Sequence, residues 1–208
     1  MTAHDWDTTK NDFTDKWKYT IQDAAEVGQR YVISPWLDDN LRTDMDGLKR
    51  FMEQMNKCGE LCKASGMTFG YHNHNFEFKT KIGDGDLYDF ILANTDPKLV
   101  AQQMDIGNML GAGGNALDLL KKYPGRFELM HVKDEIKSAT GQGMDGYDST
   151  ILAQGVMPVK EIVKEARKIG GTSQFIIEQE SYQGKDPFDC GKIDFPNHEK
   201  VGILMILF

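Results

Sequence analysis

Apolar positions along the chain change period repeatedly, and the changes divide it into alternating strands and helices. Phe13, Trp17, Ile21 and Ala24 recur at helical spacing and predict a helix over 8–28, ending at Gly28. The run Tyr31-Val-Ile-Ser-Pro-Trp36 predicts a short strand stopped by Pro35. Leu48, Phe51, Met52, Met55, Cys58, Leu61 and Cys62 form one face of a helix over 44–65, with Gly66 as its C′ residue. Further strands are predicted over 66–78, 99–106, 127–132 and 173–177, alternating with helices over 84–94, 115–123 and 158–169. The Gly-rich stretch 138–149 is too polar for core and predicts a loop. Five strands alternating with helices predict an α/β fold with a parallel sheet or barrel.

Composition narrows the function classes. With 208 residues, 40% hydrophobic and 27% charged, the chain can bury one sizeable core. A net charge of −8 argues against nucleic acid or an anionic membrane as partner. No stretch matches a signal peptide or a membrane span, so a soluble, cytoplasmic chain is expected; a leader in a longer N-terminus stays open. Cys58, Cys62 and Cys190 fit neither a zinc-finger spacing nor a disulfide framework, and read as packing residues in a reducing compartment. Gly111-Ala-Gly-Gly114 lacks the Gly-Lys-Ser/Thr ending of a phosphate loop and reads as a strand-to-helix connection.

The chemistry collects where the strands end. Trp36, His72 with His74, Asp105, His131 and Glu178 each close a predicted strand, and parallel α/β folds assemble their sites at those ends. His72 and His74, two residues apart on one strand, are expected to point the same way. Two imidazoles and two carboxylates form a thiolate-free N/O ligand set, suited to a divalent transition metal. Such an ion polarises a carbonyl and hydroxyl pair, so that the proton on the adjacent carbon becomes removable. Glu178 can take that proton, Lys133 can neutralise an enediolate or bind a phosphate, and His74 or Glu77 can bond sugar hydroxyls. Trp36, Asn108, Asp134 and Glu180 flank these positions as further candidates for substrate contact.

Four motifs carry a resemblance. Tyr71-His-Asn-His-Asn-Phe-Glu-Phe78, Asp105-Ile-Gly-Asn108, His131-Val-Lys-Asp134 and Ile177-Glu-Gln-Glu180 resemble the sugar phosphate isomerase/epimerase family of xylose-isomerase-like barrels. Inosose dehydratases and ketose 3-epimerases belong to the same superfamily. The resemblance implies a TIM (β/α)8 barrel with one divalent ion (Mn, Zn, Co, Fe or Mg) held by His72, Asp105, His131 and Glu178. Many relatives place a glutamate where His72 stands, and His74 and Glu77 are the alternatives to it. The implied activity is isomerisation or epimerisation of a sugar or sugar phosphate. A keto-sugar or inosose dehydratase and an inactive carbohydrate-binding fragment are the alternatives.

The chain departs from that pattern at both ends. About eighty further residues carrying the first barrel strands are expected ahead of Thr2-Ala-His4, which makes this an incomplete barrel of five βα units. Residues 1–190 are expected to form the partial barrel and 191–208 an atypical apolar tail, ending in Val201-Gly-Ile-Leu-Met-Ile-Leu-Phe208. Open strand edges predict either weak folding or a homo-oligomer that covers them.

Overall fold

A computed structural model describes residues 1–42, 44–141 and 143–203, in two compact units that divide after Gln103. The first unit opens with a small antiparallel hairpin, β1 (Trp6–Asp7) and β2 (Asp12–Phe13), where the helix was expected to begin. The Asp7 carboxylate accepts from Thr9 N, Thr9 Oγ1 and Lys10 N, and Asn11 takes a φ of 50°. These local bonds compete with helix propagation and delay it. Helix α1 (Asp15–Glu26) then starts at Thr14, whose hydroxyl accepts from Trp17 N at 3.2 Å.

Strand β3 (Tyr31–Ser34) leads into α2 (Met45–Ala64), which buries Leu48, Phe51, Met52, Met55, Cys58 and Cys62 as their spacing predicts. Each such side chain contributes about 1.5–3 kcal/mol when fully buried. Both cysteines are free thiols within this packing. Strand β4 (Thr68–His72) pairs in parallel with β3, Tyr31 opposite Thr68. It stops at His72, and the rest of the expected strand turns into the short helix α3 (Phe76–Lys79). A second small hairpin, β5 (Lys81–Ile82) with β6 (Gly85–Asp86), precedes α4 (Leu87–Asn94). The Asp86 carboxylate caps α4 by accepting from Asp89 N at 2.9 Å. Strand β7 (Val100–Asp105), buried throughout, pairs in parallel with β4 from Phe69↔Val100 to His72↔Gln103.

The second unit takes the last two residues of β7, then α5 (Ala116–Lys122), β8 (Leu129–Val132), β9 (Asp134–Lys137) and β10 (Tyr147–Thr150). It continues with α6 (Val159–Glu165), a π-helical turn over Ala166–Gly170, β11 (Gln174–Ile177) and α7 (Pro187–Asn197). Strands β11 and β8 are parallel, Gln174 opposite Leu129, and Ile106 N donates to His131 O. Among the described residues β3, β4, β7, β8 and β11 are the parallel strands, and each leads on to a helix, as the five predicted βα units require.

Two expectations for this unit change. The stretch 138–149 is not all loop: β9 and β10 pair antiparallel from Tyr147↔Lys137 to Thr150↔Asp134. Their side chains are mostly polar, so no hydrophobic alternation betrayed them. The expected boundary at 190 falls inside α7, which is tied to the chain before α6. Asp194 Oδ1 accepts from Leu152 N at 2.7 Å, and Asn197 Nδ2 donates to Leu152 O at 3.0 Å. Val201 and Ile203 are buried, while the rest of the apolar run, 204–208, lies outside the described residues. No described helix is long and apolar enough to cross a membrane.

Candidate functional site

In the second unit the ends of β7, β8 and β11 deliver Asp105, His131 and Glu178. Asp105 is fully buried, and its Oδ1 accepts from Gly107 N at 2.9 Å and Asn108 N at 2.8 Å. That turn fixes the carboxylate and aims Oδ2 at Lys133 Nζ, 3.3 Å away, and at His131 Nδ1, 3.8 Å away. Gly107 is needed for the turn, because a methyl group there would stand 2.6 Å from Glu135 Oε1 and 2.7 Å from Lys133 Cδ. Glu178 Oε2 lies 3.0 Å from His131 Nδ1 and 2.9 Å from Lys133 Nζ. The Lys133 ammonium also donates to Glu180 Oε2 at 2.7 Å and Asn108 Oδ1 at 3.1 Å. One imidazole, one ammonium and three carboxylates therefore converge.

Burial and charge pull these groups in opposite directions. Burial raises Asp105 to about 6, although the Lys133 ammonium and the backbone N–H of Asn108 oppose the rise. The hydrogen bond from His131, aided by Lys133, holds Glu178 well below the usual carboxylate range despite its partial burial. For Lys133, burial disfavours the charge, but the Asp105, Glu180 and Glu178 carboxylates outweigh it and keep the amine protonated. The donor set is hard oxygen plus imidazole with no thiolate, a combination that fits a divalent cation.

The β9–β10 hairpin supplies residues that sequence reasoning missed. Ser149 Oγ accepts from the N–H groups of Glu180 and Ser181 at 2.7 and 2.8 Å, and so fixes the chain just beyond β11. Glu135 is buried against Gly107, and burial raises its carboxyl to about 7. Ser149 lay in a stretch read as loop, and Glu135 stands one residue beyond the His131–Asp134 motif. Asp134, expected to contact substrate, is instead buried, with its carboxylate bonded to the N–H groups of Glu135, Gly155 and Met157. These bonds organise the backbone around it.

The first unit places His72 at the end of β4, buried, with Nδ1 3.0 Å from Gln103 Oε1. An amide oxygen only accepts, so Nδ1 is the donor in this contact. Gln103 was missed; its signal is its position two residues before Asp105, on the same face of β7. His74 leaves the strand yet stays beside His72, ring centroids 5.0 Å apart, and beside Trp36 at 5.1 Å and Phe76 at 6.0 Å. The Arg42 guanidinium covers the Trp36 and Phe76 rings, and Trp36 is 42% exposed. Such a half-open aromatic surface can take the apolar face of a sugar ring. Glu77, another expected substrate contact, is fully buried; it accepts from Tyr71 Oη at 2.6 Å and His74 N at 2.9 Å. These bonds tie the turn after β4 to Tyr71 within the strand.

Burial raises Glu77 from 4.5 to about 7, against its accepted hydrogen bonds and the nearby Arg42. Between those two values the folded state holds a proton that the unfolded chain has released. Stability contributed by this group is therefore full below pH 4.5, falls as pH rises, and levels off above about 7, a loss of about 3 kcal/mol. Glu77→Gln cannot titrate. Urea unfolding at pH 5 and pH 8 should show wild type losing about 3 kcal/mol relative to the variant; a pH-independent difference would contradict this.

Over residues 1–199 the chain matches the family described as xylose isomerase-like TIM barrel. It is 33% identical over 114 residues to an inosose dehydratase of Clostridium perfringens, a match covering 55% of this chain and 37% of that protein. The chain thus spans less than half the length of that curated relative. A sugar phosphate isomerase/epimerase from Parabacteroides distasonis superposes with a TM-score of 0.73 at 25% identity, over 96% of this chain and 73% of that one. The IOLI protein, solved with a binding zinc atom, shares the fold at 14% identity, with a TM-score of 0.69 over 89% of this chain and 67% of its own.

Proposed function

Because this chain belongs to the xylose isomerase-like TIM barrel family, we propose that it takes part in metal-dependent isomerisation or epimerisation of a sugar or sugar phosphate. Asp105, His131 and Glu178 would hold one divalent ion. The ion would supply a Lewis acid that polarises a substrate carbonyl and its neighbouring hydroxyl. The observation that carries the reading is Glu178, an ionised and partly exposed carboxylate hydrogen-bonded by both His131 and Lys133.

Glu178 would accept the proton from the carbon beside the carbonyl, and the C–H electron pair would move into an enediolate. The Lys133 ammonium would face the developing oxyanion. Return of the proton to the neighbouring carbon, with a hydroxyl proton passing between the two oxygens, completes isomerisation; a proton delivered from water to the opposite face of the same carbon, while Glu178 keeps the one it took, completes epimerisation. Asn108 and Glu180 would orient the polar groups of the sugar.

A dehydratase is the second reading, favoured by the 33% identity to an inosose dehydratase. Proton removal would be the same, followed by loss of the β-hydroxyl as water. Incubating the metal-loaded chain with keto-sugars and inososes in D₂O, followed by NMR, separates the readings: deuterium at the reacting carbon with retained mass balance, or release of water. Glu178→Gln should lower either rate by about 100-fold or more. Turnover unaffected by that change would remove Glu178 as the base, and sugar binding without turnover in wild type would leave a carbohydrate-binding protein.

A further inference from the structure

Lys133 is only 1% exposed by side chain, yet its ammonium is shared among more acceptors than it has protons to give. It bonds Glu180 at 2.7 Å, Glu178 at 2.9 Å and Asn108 at 3.1 Å, with Asp105 at 3.3 Å. Asp105 and Glu178 are the carboxylates proposed above as metal ligands. Glu180 is not, and it differs in kind: its side chain is 59% exposed, and its backbone is anchored by Ser149 Oγ. A buried ammonium beside two ligand carboxylates repels any cation those carboxylates bind, and the repulsion is strong where water is excluded. Glu180, a third carboxylate on the same ammonium, draws its charge away from the ligands.

We propose that Lys133 is a built-in competitor of the divalent ion and that Glu180 is the counter-ion that moderates it, so that this pair sets metal affinity. In the metal-free protein Lys133 holds Asp105 and Glu178 together against their mutual repulsion. With metal present, its hydrogen bonds pass to Glu180 and Asn108. The inference rests on the reading of Asp105 and Glu178 as ligands, but concerns residues outside that ligand set.

Isothermal titration of the full chain with Mn²⁺ or Zn²⁺ alone tests it, with metal-induced shifts in thermal unfolding as a second readout. Lys133→Met should bind metal at least about tenfold more tightly and gain more in Tm on metal addition. Glu180→Gln should bind about tenfold more weakly, because Lys133 then turns wholly to the ligands. In the double variant the Glu180 effect should vanish, since Glu180 acts through Lys133. A Glu180 effect that persists there would mean simple loss of a negative charge and overturn the proposal, as would weaker binding by Lys133→Met. If Lys133→Met does not fold without metal, Lys133→Gln, which keeps polar contacts, takes its place. Absence of binding by wild type would overturn the metal site itself, and this inference with it. Binding by wild type with Glu180→Gln unchanged would overturn this inference alone.

Discussion

The His131→Ala/Glu178→Ala variant is expected to bind little divalent metal while keeping its fold. His131 is partly exposed at the end of β8, and Glu178 stands one residue beyond β11, so neither truncation opens a large cavity. Asp105 keeps both backbone hydrogen bonds and its Lys133 partner in the variant, which preserves the local turn. What disappears is the imidazole and one of the carboxylates proposed as ligands. Outer partners of metal ligands alone are worth roughly 10–100-fold in affinity, so loss of two ligands should exceed about 100-fold. Metal content after reconstitution, read by mass spectrometry beside circular dichroism, checks it. Near-stoichiometric metal in wild type and little in the folded variant is the expected result. Equal metal in both would move the ion away from these strand ends.

Asp134→Ala should markedly destabilise the second unit. Its carboxylate accepts from Glu135 N and Gly155 N at 2.9 Å each and from Met157 N at 3.2 Å, in a buried position. Alanine leaves those three donors without their acceptor, at about 1–3 kcal/mol apiece where water cannot replace it. A total loss of about 3 kcal/mol or more is expected in urea unfolding, with Asp134→Asn in between because its amide keeps one oxygen. The change should reach the site as well, since Asp134 begins the hairpin that carries Glu135 and pairs with the strand holding Ser149. A loss below about 1 kcal/mol would mean that water enters and satisfies the freed N–H groups.

The parts of this protein legible in its sequence are those that repeat or sit side by side in the chain. Helix α2 was legible because its apolar face keeps the helical period through twenty residues. The strand ends were legible because each pairs a short β-forming run with a polar residue: Asp105 after β7's apolar start, His131 within β8, Glu178 after β11. The small hairpins were not, because two- and four-residue polar strands carry no readable alternation. Glu77 and Asp134 show a different limit. As polar residues in site-bearing motifs they suggested substrate contacts, and only the structure shows them buried and bonded to backbone N–H groups.

By itself, then, the sequence determined the βα alternation, the acidic and thiolate-poor character of the chain, and which residues close its parallel strands. All of these follow from composition and nearest-neighbour periodicity. The tertiary structure decided which polar groups meet. Glu178 reaches Lys133 across 45 positions of sequence, Gln103 turns to His72 across 31, and Ser149 clasps the chain at Glu180 across 31. Such partnerships depend on strand pairing and on how burial reweights charge, and no local pattern encodes either.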